Sequence, residues 1–341
     1  DHPFYSREVL HPQAAFMITI PPGATRTLYV RVSHSGSFRF SVELYRVLSF
    51  HHYVARWTAY TFLLIGALCA IGIYNLFIFI GLRERGYLFL AIFIGLYLLF
   101  QTSLNGVAHM YLWPNSPWWS DHCITFFVML TVVAAVVFSI EVLNARQLAP
   151  WLAKLASILG GVAFLTALLA LTDWQGKYVL SHVLGLVMPV LIMLLAIRSW
   201  RKGYRPAGYY IVAWTVGLAG SAMLSLLGPG LIPTNLLTEH LAEVGFLAAI
   251  FLWSFTLSHR VSEKEEAQRA TLERLVKERT AELEQSMADL RTLQGLLPIC
   301  SSCKKIRDDS GYWNEVEEYF ARHTGADFSH GLCPECALRL Y

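Results

Sequence analysis

Residues 57–82, WTAYTFLLIGALCAIGIYNLFIFIGL, run for 26 positions without one charged side chain. A helix needs about 20 apolar residues to cross a hydrocarbon core about 30 Å thick. This stretch is long enough and ends abruptly at Arg83 and Arg85. No polar stripe breaks it, so as a helix it has no face suited to water, which points to lipid rather than to the surface of a soluble core.

The same signature recurs down the chain. Seven stretches are expected to span: Trp57 to Leu82, Tyr87 to Gly106, Cys123 to Val142, Trp151 to Thr172, Tyr178 to Ile197, Ala207 to Gly228 and Leu237 to Ser258. Pro114, Asp173, the basic run from Arg201 to Arg205, and Pro229 punctuate them. Over the whole 341 residues, 55% are hydrophobic and only 15% charged, a balance that membrane burial explains more simply than a soluble fold. The net charge of +3 comes from basic residues spread through loops and tail, so no nucleic-acid partner is expected.

Orientation follows from the short loops, because Lys and Arg resist translocation. One set of loops carries Arg83, Arg85, Arg146, Lys154, Arg198, Arg201, Lys202 and Arg205, whereas the other carries Lys177 alone. The richer set belongs in the cytoplasm. That places the N-terminus outside, the C-terminus inside, and Trp113, Trp118, Trp119 and Trp174 near the outer interface.

Ahead of the first span the pattern changes to period two. Leu28, Val30 and Val32 alternate with Tyr29 and Arg31, and Phe38, Phe40, Val42 and Leu44 alternate with Arg39, Ser41 and Glu43. His34 to Gly36 supply a turn, and Phe16 to Ile20 a third apolar run beyond Pro21, Pro22 and Gly23. The expectation is the last part of a β-sandwich whose earlier strands lie upstream, since three strands bury too little to stand alone. The start at Asp1, with no signal-like leader, reads as a truncation.

After Ser258 the composition switches to charge, with no proline until Pro298. Val276, Leu283, Leu290 and Leu297 recur every seven residues, with Leu272 and Leu293 at the intervening position, the seam of a two-stranded coiled coil that Arg279 and Ser286 weaken. A homodimer through this seam is expected. Cys300 with Cys303, and Cys333 with Cys336, then form two C-x-x-C pairs. Two such pairs supply the tetrahedral sulfur shell that structural Zn²⁺ prefers, with His330 as an alternative ligand, and a two-cysteine redox pair as the rival reading. Between the pairs, Tyr312 to His323 are expected to form a helix bearing Trp313, Val316 and Phe320.

The runs YNLFIFIGLRERGYLFL from Tyr74, FQTSLNG from Phe100, YLWPN from Tyr111, GYRPAGYYIVAW from Gly203 and PTNLLTEH from Pro233 together resemble the bacterial seven-transmembrane receptors with diverse intracellular signalling modules. The resemblance covers roughly residues 57–265. It implies that Thr27 to Tyr45 end a periplasmic ligand-binding module, with a small molecule, carbohydrate being one candidate class, as ligand. Members usually carry a kinase, cyclase or phosphatase after the core. Here LPICSSCKKIRDDSGYW and FSHGLCPEC instead resemble a short cysteine module that ends several bacterial sensor proteins.

The expected organisation is mainly α: a partial periplasmic β-sandwich over 1–55, a seven-helix transmembrane bundle over 56–258, a cytoplasmic coiled coil over 259–297 and a zinc-stapled module over 298–341. A signal-receiving polar cluster is expected near the outer helix ends: Gln101, Asn105, Asp121, His122, His182, Glu239, His240 and Glu243, with Glu239 and Glu243 on one face. Glu141 is expected to be solvated or paired with a loop cation. The functional expectation is a multi-pass receptor of the bacterial inner membrane without catalysis of its own, signalling through a recruited cytoplasmic protein. Two other classes remain: a transporter or channel, disfavoured by nearly apolar midplane segments, and a thiol redox sensor.

Overall fold

The structure, a computed structural model, describes residues 4–12, 14–30, 42–227, 236–294 and 297–340, with the side chains of 221–240 and 289–294 outside the description. Two compact units are present, residues 1–263 and 264–341.

In the first unit the apolar runs become helices. Helix α1 spans Val47–Leu82, 36 residues or about 54 Å, so its first turns exceed the hydrocarbon thickness. It ends where Arg83 adopts a left-handed conformation and donates its N–H to the Phe79 carbonyl. There follow α2 (Arg85–Leu104), a short α3 (Val107–Tyr111), α4 (Pro117–Val142), a short α5 (Ala145–Leu148), α6 (Pro150–Leu169), α7 (Gly176–Arg201), α8 (Pro206–Leu227) and α9 (Leu236–Gln294). Proline opens α4, α6 and α8, where its missing N–H costs no helical bond. Six helices (α1, α2, α4, α6, α7 and α9) are long and apolar enough to cross a membrane among the described residues. With α8, 22 residues without a charge, they form the seven-helix bundle.

The bundle closes around aromatic rings. Trp253 on α9, 1% exposed, meets Phe93 of α2 at 5.4 Å, Phe138 of α4 at 5.7 Å, and Tyr210 and Trp214 of α8 at 5.9 and 5.4 Å between ring centroids. Tyr210 also shares a 2.6 Å hydrogen bond with Ser139 of α4. Beside this hub α8 and α9 approach through Gly220 and Gly245: a Cβ on Gly220 would stand 2.8 Å from the Leu241 carbonyl oxygen. Toward the end of α1, buried Asn75 donates to Ser254 of α9 at 2.9 Å and to its own helix at Ile71. Helix α1 otherwise presents Ile73, Phe77 and Ile80 outward, a surface suited to lipid.

Two expectations change in this unit. Among the described residues before α1 there is no strand, only a 3-10 turn at Phe4–Ser6. Leu28, Val30, Val42 and Leu44 are exposed, and residues 31–41, which would hold the turn and much of the second strand, lie outside the description. Alternating residues need a surface to cover, and no strand pairing is present among the described ones. Glu141 also finds a different partner. Its carboxylate lies 3.7 Å from Arg260 on α9 rather than against a loop cation, while Tyr204 donates to the neighbouring Val142 carbonyl at 3.0 Å.

The second unit begins with the charged part of α9, on which Leu272, Val276 and Leu283 are exposed. Strands β1 (Ile306–Arg307) and β2 (Trp313–Asn314) then pair antiparallel, followed by α10 (Val316–Thr324) and α11 (Pro334–Leu340). Trp313 therefore sits in a strand, not in the expected helix. The reason is the turn before it: Asp308 accepts the Tyr312 N–H and an Asn314 amide hydrogen, and Gly311 takes φ +86°.

Candidate signal-receiving site

Gln101 and Asn105 stand four residues apart at the C-terminal end of α2 and so share a face. Both turn to Glu243 on α9. The Gln101 amide donates to its carboxylate at 2.6 Å and the Asn105 amide at 3.4 Å. A carboxylate at membrane depth is costly unless donors surround it, and these two amides offset part of that cost. Thr61, Leu68, Tyr97 and Leu247 complete a crevice of about 20 Å³ next to the carboxylate. Among the described residues that is room for a water beside the carboxylate. The site is therefore a joint where α1, α2 and α9 meet.

The other expected members stand elsewhere. His122 is 6% exposed and bonded through Nδ1 to the Trp118 carbonyl at 2.6 Å, stacked on the Trp118 ring at 4.7 Å, with Nε2 3.5 Å from Asp173. It ties α4 to the connection between α6 and α7. Asp121 is exposed at the start of α4, and exposed His182 bonds back one turn to the Tyr178 carbonyl. Glu239 and His240 belong to α9, but their side chains lie outside the described residues.

Two features had no counterpart in the sequence reading. Lys177, counted as an outer-loop cation, is 3% exposed, and its ammonium donates to the carbonyls of Ala170 at 3.2 Å and Thr172 at 2.6 Å. It caps the end of α6, where helical carbonyls lack partners. A lysine one residue into α7, after a short connection, was the available signal. The second feature is the seating of residues 4–12 on α1 and the 105–114 connection. Phe4 is fully buried, its N–H donates to the Pro114 carbonyl at 3.0 Å, and its ring meets His109 of α3 edge-on at 5.6 Å. Arg7 lies over the Phe4 ring and donates to the carbonyls of His11 and Pro12, both at 3.2 Å. His11, 3% exposed, packs against Phe50, Tyr53 and Trp57 of α1. Pro12 lies against Gly106, which takes φ +75° and whose Cβ would come within 3.0 Å of it. His109 also shares a 2.5 Å hydrogen bond with Ser120 of α4, and burial, then the charge of Arg7, hold its imidazole below the usual range.

In the second unit the two cysteine pairs sit in different local structure, Cys300 and Cys303 in a loop and Cys333 and Cys336 around the start of α11. The Cys300 N–H donates to Lys305 and the Cys300 carbonyl accepts from Lys304, folding residues 300–305 into a tight loop. N–H groups of Cys303 and Ser302 at the Cys300 sulfur hold its thiol below the usual range. Cys333 lies just before α11, where the Cys336 N–H and thiol do the same. Thiols lowered in this way are the ones that bind metal or react. The four cysteines are unpaired, and no three or more His, Cys, Asp or Glu side chains converge on one point among the described residues. His330 is exposed.

Comparison with known proteins adds two matches. Residues 57–260 match the family described as 7TM diverse intracellular signalling, and residues 1–46 match the 7TMR-DISM extracellular 2 domain. No curated protein and no solved structure matches the chain. The first match covers more than half of the chain and coincides with the helical bundle, so the protein belongs to the 7TM diverse intracellular signalling family and is a receptor-like, multi-pass transmembrane sensor.

Proposed function

We propose that the protein carries a periplasmic signal across the bacterial inner membrane to its cytoplasmic tail. The observation that carries this reading is the Glu243 joint. The helix that holds Glu243 against Gln101 and Asn105 is α9, and α9 continues without interruption to Gln294. A ligand shifts such a bundle only if it binds one arrangement better than another. In this reading a small molecule, carbohydrate being the class favoured, binds the extracellular domain to which residues 1–46 belong. The excess of Lys and Arg in one set of loops supports a periplasmic N-terminus and a cytoplasmic C-terminus.

The tail acts by recruitment rather than by catalysis. Its heptad leucines pair two copies of the chain, and Cys300, Cys303, Cys333 and Cys336 hold one structural Zn²⁺ that would join the two loops they occupy. Lowered thiols at Cys300 and Cys333 support metal binding. Membrane lipid and a cytoplasmic signalling protein complete the set of partners.

Orientation is the test. Tags fused at each end of the full chain, probed in intact cells with a membrane-impermeant label, should be reached at the N-terminal end and protected at the C-terminal end. Equal access at both ends would abolish the reading.

A further inference from the structure

We infer that residues 4–12 form the contact through which the extracellular domain moves the Glu243 joint. This rests on the receptor reading for its purpose, but the coupling itself is a property of the fold. The route is short and continuous. Phe4 is locked to the 105–114 connection by its N–H to Pro114 and its ring on His109, and Pro12 presses on Gly106. The residue next to Gly106 is Asn105, whose side chain reaches Glu243, and one turn earlier Gln101 reaches the same carboxylate. On the other side His11 is held by three rings of α1, so the segment bridges α1 and the α2–α4 connection as one clasp.

The contact is built for position rather than for mere adhesion. A left-handed glycine lets the backbone of residue 106 meet Pro12 with no side chain between them, so a shift of Pro12 reaches the end of α2 directly. Packed interfaces of this kind switch between discrete arrangements rather than deforming smoothly. A pull on residues 4–12 therefore changes how Asn105 and Gln101 address Glu243, and so the setting of α9.

Hydrogen–deuterium exchange on the full chain in lipid nanodiscs, with no ligand or partner added, tests the coupling. Phe4→Ala and Gly106→Ala should raise exchange in residues 4–12 and 105–114, and also about fivefold or more in residues 238–248 of α9, the range of an ordinary allosteric coupling. Coupling is reciprocal, so Glu243→Leu should raise exchange in residues 4–12. Unchanged exchange in residues 170–177 shows that the bundle is intact, and if Phe4→Ala unfolds it, Phe4→Leu takes its place. Loosening confined to 4–12 and 105–114, or an unaffected 4–12 segment in Glu243→Leu, would overturn the inference. Because no signal is applied, the coupling can hold where the orientation test fails, and the reverse.

Discussion

Substituting Gly220 with Ala sets two effects against each other, and the structure decides the sign. Alanine in a helix gains roughly 0.5–1 kcal/mol over glycine. The gain is at the low end here, because the unfolded reference in detergent keeps much of its helix. Against it, the new Cβ would stand 2.8 Å from the Leu241 carbonyl oxygen and 3.1 Å from the Ala242 Cα, both backbone atoms that cannot rotate away. Overpacking of this kind costs about 1–3 kcal/mol, so the net loss is on the order of 1–2 kcal/mol. The unfolding equilibrium should shift by a factor of about 5–30. Gly66 is the control, because a Cβ there meets nothing within 4 Å. Gly66→Ala should leave stability unchanged or raise it slightly. Reversible unfolding from mild into denaturing detergent, followed by tryptophan fluorescence, measures both. If Gly220→Ala matches the parent or exceeds it, α8 and α9 do not approach as described.

Other outcomes follow from single side chains. Lys177→Met leaves the Ala170 and Thr172 carbonyls without their ammonium donor and should cost about 1–3 kcal/mol in the same unfolding assay. Asp308 is held below the usual carboxylate range by the Asn314 amide and by N–H groups of Tyr312 and Ser310. The stabilisation this lends the β1–β2 turn is full at neutral pH and disappears as pH falls through that depressed value, and Asn314→Ala should move the loss to higher pH in a carboxyl-carbon NMR titration. The full chain should carry one tightly held zinc per copy, and Cys300→Ser or Cys333→Ser should abolish it in a metal-release assay. Zinc should be released on acidification, as protons displace it from the thiolates.

The bundle was legible in the sequence because length and lack of charge are local properties. Residues 57–82 declare a span without help from any other part of the chain. Pairings between helices are not local. Gln101 and Glu243 meet across 142 positions, and no periodicity within either helix says so, which is why the expected polar cluster included Asp121 and His182 alongside the residues that meet. Lys177 misled for a related reason: a loop cation and a helix cap look alike until the end of α6 is placed beside it. The strands before α1 were expected from alternation and from the family resemblance, and alternation records a face without saying what covers it. Trp313 went astray because an apolar spacing outweighed the turn chemistry of Asp308 and Gly311. The clasp of residues 4–12 is built from one phenylalanine, one histidine and one proline, too sparse a pattern to announce itself.

The indole of Trp253 gives the protein an optical gauge of its own. Two indoles with centroids 5.4 Å apart, those of Trp214 and Trp253, lie close enough for their excited states to mix, and the sign and size of the resulting near-ultraviolet dichroism depend on the angle between the rings. A small sliding or turning of α9 against α8 would alter that band while the far-ultraviolet helical signal stayed constant. Any movement of α9 against α8 is thus open to observation in the unlabelled protein, with no dye or added cysteine.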